Sequence, residues 1–193
     1  MISLILMSGF LTVAVFFRVF IQYRRTGDLG VRAAPVGSPL IEVLPGTIFV
    51  LTFCFALALV IRRYLGYLET VVNLAPHIEY AGFFIALSGI MITVISQLQM
   101  GDSWRIGVDQ QESTTLITNG LYARSRNPIY FGILLFWIGL SITFPHPLLW
   151  ISASVCWLCI ELIVRKIEEP YLRKEHGDEF QNYVARTNRY LPL

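Results

Sequence analysis

The amino-acid sequence predicts an all-α, polytopic membrane protein of five transmembrane helices followed by a cytoplasmic, amphipathic C-terminal helical segment. Three observations carry this. Of the 193 residues, 55% are hydrophobic and only 15% charged, where a soluble domain carries about 25% charged residues. Apolar runs recur at close to the ~20 residues that span ~30 Å of hydrocarbon at 1.5 Å per residue. Basic residues gather in alternate connections between those runs, as they do in polytopic proteins.

The first run is Ile2 to Ile21. It lacks a basic n-region and a small-residue cleavage site, so it reads as a retained span rather than a signal peptide. Arg18 near its end is expected to snorkel to the interface. Residues 22–43 are a loop rich in Gly, Pro and Arg. Pro45 is expected in the first turn of the second run, Leu44 to Ile61, where its missing N–H costs nothing. The third run, Tyr80 to Leu98, carries Gly82, Ser88, Gly89 and Ser96, small residues that permit close helix contact in lipid. Pro128 opens the fourth run, which ends at Phe144. Pro145-His146-Pro147 turns the chain into the fifth, Pro147 to Val164, so these two helices are expected to be antiparallel neighbours. Beyond Arg165, apolar or aromatic residues recur at Ile167, Tyr171, Leu172, Phe180, Tyr183 and Val184, the pattern of a helix packed on the bundle. Gly177 is the expected break within it. Residues 1–98 read as a three-span scaffold and 99–193 as a second region of polar loop, two-helix hairpin and C-terminal helices.

Five spans place residues 22–43, 99–127 and 165–193 on one side, and those connections hold 12 of the 15 Lys and Arg residues. The positive-inside rule makes that side cytoplasmic, with the N-terminus outside. Net charge of +2, without a basic patch interleaved with aromatics, excludes a nucleic-acid partner. His77, His146 and His176 lie in separate segments without ligand spacing, so no metal site is expected. Cys156-x-x-Cys159 lies in an apolar helix and reads as core packing.

Two polar stretches on the basic side remain. Arg124-Ser125-Arg126-Asn127-Pro128-Ile129-Tyr130 reads as a helix start with Asn127 as N-cap. It also reads as an anion site, because helix N-termini present free N–H groups and Tyr122 and Tyr130 add flat faces with polar tips. In Arg165-Lys166-Ile167-Glu168-Glu169, the i,i+3 and i,i+4 spacings put both carboxylates on the face of Arg165. Glu161 is expected to pair with Arg165. Trp104, in Gly101-Asp102-Ser103-Trp104-Arg105, is expected as an interfacial anchor. Asp109, Gln110 and Gln111 follow as weaker polar candidates.

Taken together, Gly120-Leu121-Tyr122, Arg126-Asn127-Pro128-Ile129-Tyr130-Phe131-Gly132, Glu168-Glu169 and Gly177-Asp178-Glu179-Phe180 resemble the isoprenylcysteine carboxyl methyltransferase family. Related phospholipid methyltransferases share the outline, and the likeness covers about residues 99–193. It implies an integral membrane methyltransferase using S-adenosylmethionine and a lipophilic or lipid-linked acceptor, with a carboxyl group as the first expectation. It further implies cofactor contacts from Thr114, Thr115, Leu116, Ile117, Tyr122, Arg126, Asn127, Pro128, Ile129, Tyr130 and Glu168. Arg165, Glu168 and Glu169 would form the catalytic group, Arg165 addressing the substrate. Family members commonly carry His where Asn127 stands, and the register of the arginine before the Glu pair varies. A lipid amine, a small thiol, an NADPH-dependent sterol-type reductase and a non-enzymatic scaffold or transporter stand as alternatives. Oligomeric state is left open.

Overall fold

The computed structural model describes residues 1–32, 38–107 and 115–190. Its helices are α1 (Ile2–Thr26), α2 (Leu40–Tyr64), α3 (Pro76–Gln99), α4 (Pro128–Thr143), α5 (Pro147–Ile163) and α6 (Glu169–Arg186). Two 3-10 turns, Gly101–Ser103 and Gly120–Ala123, punctuate the connection between α3 and α4. Helices α5 and α6 run on through a π-helical turn, Val164–Glu168. Among the described residues the extended structure is limited to two isolated parallel bridges, Val31 with Ile106 and Ser125 with Asn188. Helices α1, α2, α3 and the joined α5–α6 are long and apolar enough to cross a membrane, and α4 is a shorter apolar helix. The chain is thus an all-helical, multi-pass membrane protein.

Helix α4 is short because it is the enclosed one. Its 16 residues span ~24 Å at 1.5 Å per residue, and Phe136, Trp137 and Leu140 are almost wholly buried. Phe10 of α1 stacks on Phe136 at 4.3 Å between centroids, and Phe53 of α2 meets Trp137 edge-on at 5.1 Å. Helix α3 lies antiparallel to α4, and glycines remove the side chains that would hold them apart. A Cβ on Gly89 would stand 2.4 Å from the Phe136 nitrogen, and one on Gly139 2.3 Å from the Ala86 nitrogen. Gly82 and Gly132 are equally hemmed in. In lipid, where apolar burial gives helices no preference for each other, such backbone approach supplies the dispersion contact that holds them.

Several expectations change. Helix α2 begins at Leu40, so Pro45 lies inside the helix and not in its first turn. Arg18 does not snorkel: it is 2% exposed, because the Gly101 carbonyl, Gln22 and the Trp104 ring supply it with partners. Trp104 is correspondingly buried under Arg18 instead of anchoring an interface. Residues 11–17 of α1 are π-helical. A π turn frees carbonyls from the regular ladder, and Gln97 Nε2 donates to one of them, Ala14 O, at 2.9 Å. Gly177 does break α6, at φ 49° and ψ −123°, and Tyr171, Phe180 and Tyr183 are buried as their periodicity predicts. His146 caps α5, its Nδ1 accepting from Leu148 N at 3.2 Å.

The α3–α4 contact makes a direct expectation. Gly139→Ala should cost about 1–3 kcal/mol by overpacking, or about 2–10 °C in thermal unfolding in detergent at this chain length. Gly46→Ala, where a Cβ meets nothing within 4 Å, should be neutral or stabilising. Equal melting temperatures for the two variants would contradict the close-contact account.

Candidate active site

Both polar stretches lie at the bundle end formed by the close of α3, the start of α4 and the close of α5. Gln99, at the end of α3, accepts from Leu121 N through Oε1 at 2.9 Å and so fixes the 3-10 turn. Gly120 is required there: its φ is +61°, and a Cβ would meet the Gln99 amide at 2.5 Å. The turn buries Tyr122, whose carbonyl accepts from Tyr183 Oη of α6 at 2.6 Å. The Tyr122 hydroxyl itself is buried with no hydrogen-bond partner. Burial, with the Glu168 charge adding to it, pushes this phenol well above its usual range, so it stays protonated.

The chain then enters α4 beside the C-terminal segment. Arg126 N donates to Asn188 O at 2.8 Å and Asn127 N to Arg189 O at 3.0 Å. Asn127 occupies the N-cap position as expected, but its side chain does not cap. Nδ2 instead donates to Arg189 O at 3.1 Å. Pro128 is the first helical residue, and the half-buried Ile129 packs against the core. Tyr130 Oη donates to Glu168 Oε1 at 2.6 Å, closing the ~40-residue gap between the two stretches.

The π turn resets what spacing predicted for the second stretch. Glu168 bonds Tyr130 and Glu169 bonds Arg126 and Arg189, and neither takes Arg165 as the spacing suggests. Arg165 is exposed and pairs back with Glu161 one turn earlier, as expected for that pair. Glu169 turns to Arg126 Nη2 at 3.1 Å and to Arg189, whose Nε and Nη2 donate to its two oxygens at 2.8 and 2.7 Å. The adjacent carboxyls are therefore shifted in opposite directions. Burial raises Glu168, with the Glu169 charge adding to it, against the hydrogen bond from Tyr130 and the charge of Arg105. Burial also pulls Glu169 upward, but the hydrogen bonds from Arg189 and Arg126 outweigh it and hold its carboxyl below the usual range.

The structure brings Tyr122, Arg126, Asn127, Pro128, Tyr130, Glu168 and Glu169 together. Thr115 is exposed and Leu116 and Ile117 half-buried on the segment leading in, while Thr114, Asp109, Gln110 and Gln111 lie outside the described residues. Sequence reasoning missed Gln99, Tyr183 and Arg189 as parts of the site. The phase of Tyr183 on α6 was the available signal; the other two had none, since their partners are 22 and 20 residues away. Among the described residues no three His, Cys, Asp or Glu side chains stand close enough to hold a metal.

The folded-state depression of Glu169 gives a pH signature. Its stabilisation is present above the unfolded pKa and is lost as pH falls through the lower, folded value. Arg189→Gln should cost about 2–3 kcal/mol near neutrality, less than a fully buried pair because Arg189 is partly exposed. The difference in melting temperature from wild type should narrow toward pH 3; a gap independent of pH would remove Glu169 from the account.

Comparison with known proteins places this geometry. The phospholipid methyltransferase family model matches residues 78–179, which include Tyr122, Asn127, Tyr130, Glu168 and Glu169. Probable protein-S-isoprenylcysteine O-methyltransferases of Oryza sativa subsp. indica and subsp. japonica are each 26% identical over 119 residues. That match takes in 60% of this chain and 62% of theirs, so the chain spans less than two thirds of the length of these relatives. In fold, the chain is similar over 100% of its length to 68% of a eukaryotic intramembrane Ras methyltransferase, isoprenylcysteine carboxyl methyltransferase, with a TM-score of 0.62 and 19% identity. With a family match over more than half its residues, the chain belongs to the phospholipid methyltransferase family.

Proposed function

We propose that this protein is an integral membrane methyltransferase that takes a methyl group from S-adenosylmethionine and places it on a lipophilic acceptor. The acceptor group is a carboxylate, as on an isoprenylated cysteine. The observation that carries the reading is Glu168, a desolvated carboxylate next to the N-terminus of α4 and the unpartnered Tyr122 hydroxyl.

These residues fit the methyl donor. Glu168 would offer a carboxylate to its ammonium group, the first-turn N–H groups of α4 would suit its anionic end, Tyr122 would offer a hydroxyl, and Tyr122 and Tyr130 would offer ring faces. S-adenosylmethionine supplies a methyl group on a sulfonium, transferred by in-line displacement. A carboxylate nucleophile needs no general base, so the protein has to align the reactants and exclude water. Tyr130 fixes the Glu168 rotamer, and Arg126 with Arg189 fixes the helix turn that carries it. Arg165 addresses the acceptor by exchanging Glu161 for the incoming carboxylate. We read α4 as the fifth span, residues 1–98 as scaffold, and the site end as cytoplasmic on the distribution of Lys and Arg. A second reading, methylation of a lipid amine, draws on the raised Glu168, which could take the proton an amine must lose.

Calorimetry on detergent-solubilised protein tests this, with S-adenosylhomocysteine and NADPH as ligands. We expect binding of the first alone, and a folded protein without affinity for it would sink the proposal. Glu168→Gln should weaken S-adenosylhomocysteine binding about 10–100-fold, the worth of a hydrogen bond to a charged group. Acceptor assays with N-acetyl-S-farnesylcysteine and phosphatidylethanolamine separate the carboxyl and amine readings.

The raised Glu168 sets the pH dependence. Its ionised form receives the ammonium group, so affinity should be full above the raised pKa and fall as pH drops through it. Tyr130→Phe removes a hydrogen bond that favours the carboxylate, moving the pKa further up and the affinity profile to higher pH. Superimposable profiles for the two proteins would exclude Glu168 as the titrating group.

A further inference from the structure

We infer that Arg18, with Tyr122 beside it, is the receptor for a ligand carboxylate at the buried edge of the proposed methyl-transfer site. The inference rests on the methyltransferase reading but uses a residue outside the matched region, on the first helix.

Arg18 is 2% exposed. A guanidinium has five N–H donors, and the structure accounts for those on one nitrogen. Nη2 donates to Gly101 O at 2.7 Å and to Gln22 Oε1 at 3.0 Å. Nε and Nη1 are buried without any acceptor. No ion pair answers the charge, which meets only the Trp104 ring face and the more distant charge of Asp102. Asp102 is committed to Arg25 at 2.9 Å, and among the described residues no carboxylate pairs with Arg18. A cation toward the end of a membrane helix, enclosed and unpaired, is costly to keep. A methionine would fill the space over Trp104 without that cost.

Tyr122 completes the receptor. It is 7% exposed and its hydroxyl is unpartnered. Both residues are anchored to the end of α3, Arg18 through Gly101 and the Tyr122 turn through Gln99. Three guanidinium N–H groups and one phenol O–H therefore await an acceptor with several lone pairs and a negative charge. A carboxylate, with about four lone-pair sites, matches that set. It can come from the amino-acid end of the methyl donor, with Arg18 then taking the place given above to the α4 N–H groups, or from the acceptor, with Arg18 taking the place given to Arg165.

The test is calorimetry on the full chain with two ligand pairs: S-adenosylhomocysteine and its carboxamide, and N-acetyl-S-farnesylcysteine and its carboxamide. Wild type should prefer the acid about tenfold or more in one pair. Arg18→Gln should abolish that preference and Arg18→Lys should retain part of it; the pair affected identifies the source. A purely structural Arg18 would weaken acid and amide alike, and an intact ratio in Arg18→Gln overturns the inference. If that variant does not fold, Tyr122→Phe decides, since it removes a hydroxyl with no partner in the protein: a lowered acid preference supports the inference and an unchanged one overturns it. Should wild type bind no S-adenosylhomocysteine, the methyl-donor reading fails and the farnesylcysteine pair alone decides Arg18. No acid preference in either pair overturns it.

Discussion

The site depends on one half-buried carboxylate. Glu169 joins three segments distant in the chain: Arg126 before α4, its own position after α5, and Arg189 beyond α6. Its side chain is 13% exposed and that of Arg126 9%, so the ion pairs act in a medium that screens them weakly. A carboxylate so placed is stable only if its lone pairs are met, and three guanidinium donors meet them. With Arg189 held in this way, the backbone of Asn188 and Arg189 lies alongside Ser125–Asn127, where Asn188 forms the parallel bridge with Ser125. Adjacent to it, Glu168 is left for other work. One residue of register separates an anion that holds the fold from one whose charge burial opposes.

That register is set by the π turn at Val164–Glu168. Arg165, at the start of the turn, pairs back with Glu161, while Glu168 and Glu169, at its end, meet Tyr130 and the Arg126 and Arg189 guanidinium groups. The turn sits where α5 leaves the apolar run, and the enclosure of α4 brings Tyr130 to it. The glycine faces of α3 and α4 thus act at a distance on the site: they fix the depth of α4 and, with it, where the Tyr130 hydroxyl meets Glu168.

The gross architecture was legible because the bilayer imposes it. Length, hydropathy and turn-forming prolines placed every helix within a few residues, and Gly177 announced the break in α6. The Asn127–Tyr130 group and the glutamate pair were also legible, the first from helix-start chemistry and both from the family pattern. What failed were inferences from regular spacing or from typical behaviour at an interface. The i,i+4 rule placed Arg165 on Glu161 but not on Glu169, whose carboxylate is taken by Arg126 and Arg189 from elsewhere in the chain. Arg18 and Trp104 were assigned to the membrane surface because that is where such residues usually find water. Here each finds the other instead. Arg189 was invisible because its partner is fixed by tertiary structure alone.

The division of the chain at residue 98 is also less physical than composition suggests. The π-helical stretch of α1 exposes Ala14 O to Gln97, and one turn later Arg18 and Gln22 take the carbonyls of Gly101 and Asp102. The first helix is therefore bonded to the very residues where the polar connection begins, and Gln99 between them holds the turn that buries Tyr122. A segment that only filled space against the others would need apolar contact alone. This one supplies amide and guanidinium groups to backbone carbonyls at the site end and keeps a charged donor set unspent. Under the Arg18 inference, variation in the first helix would change carboxylate recognition without touching the Glu168–Tyr130 pair.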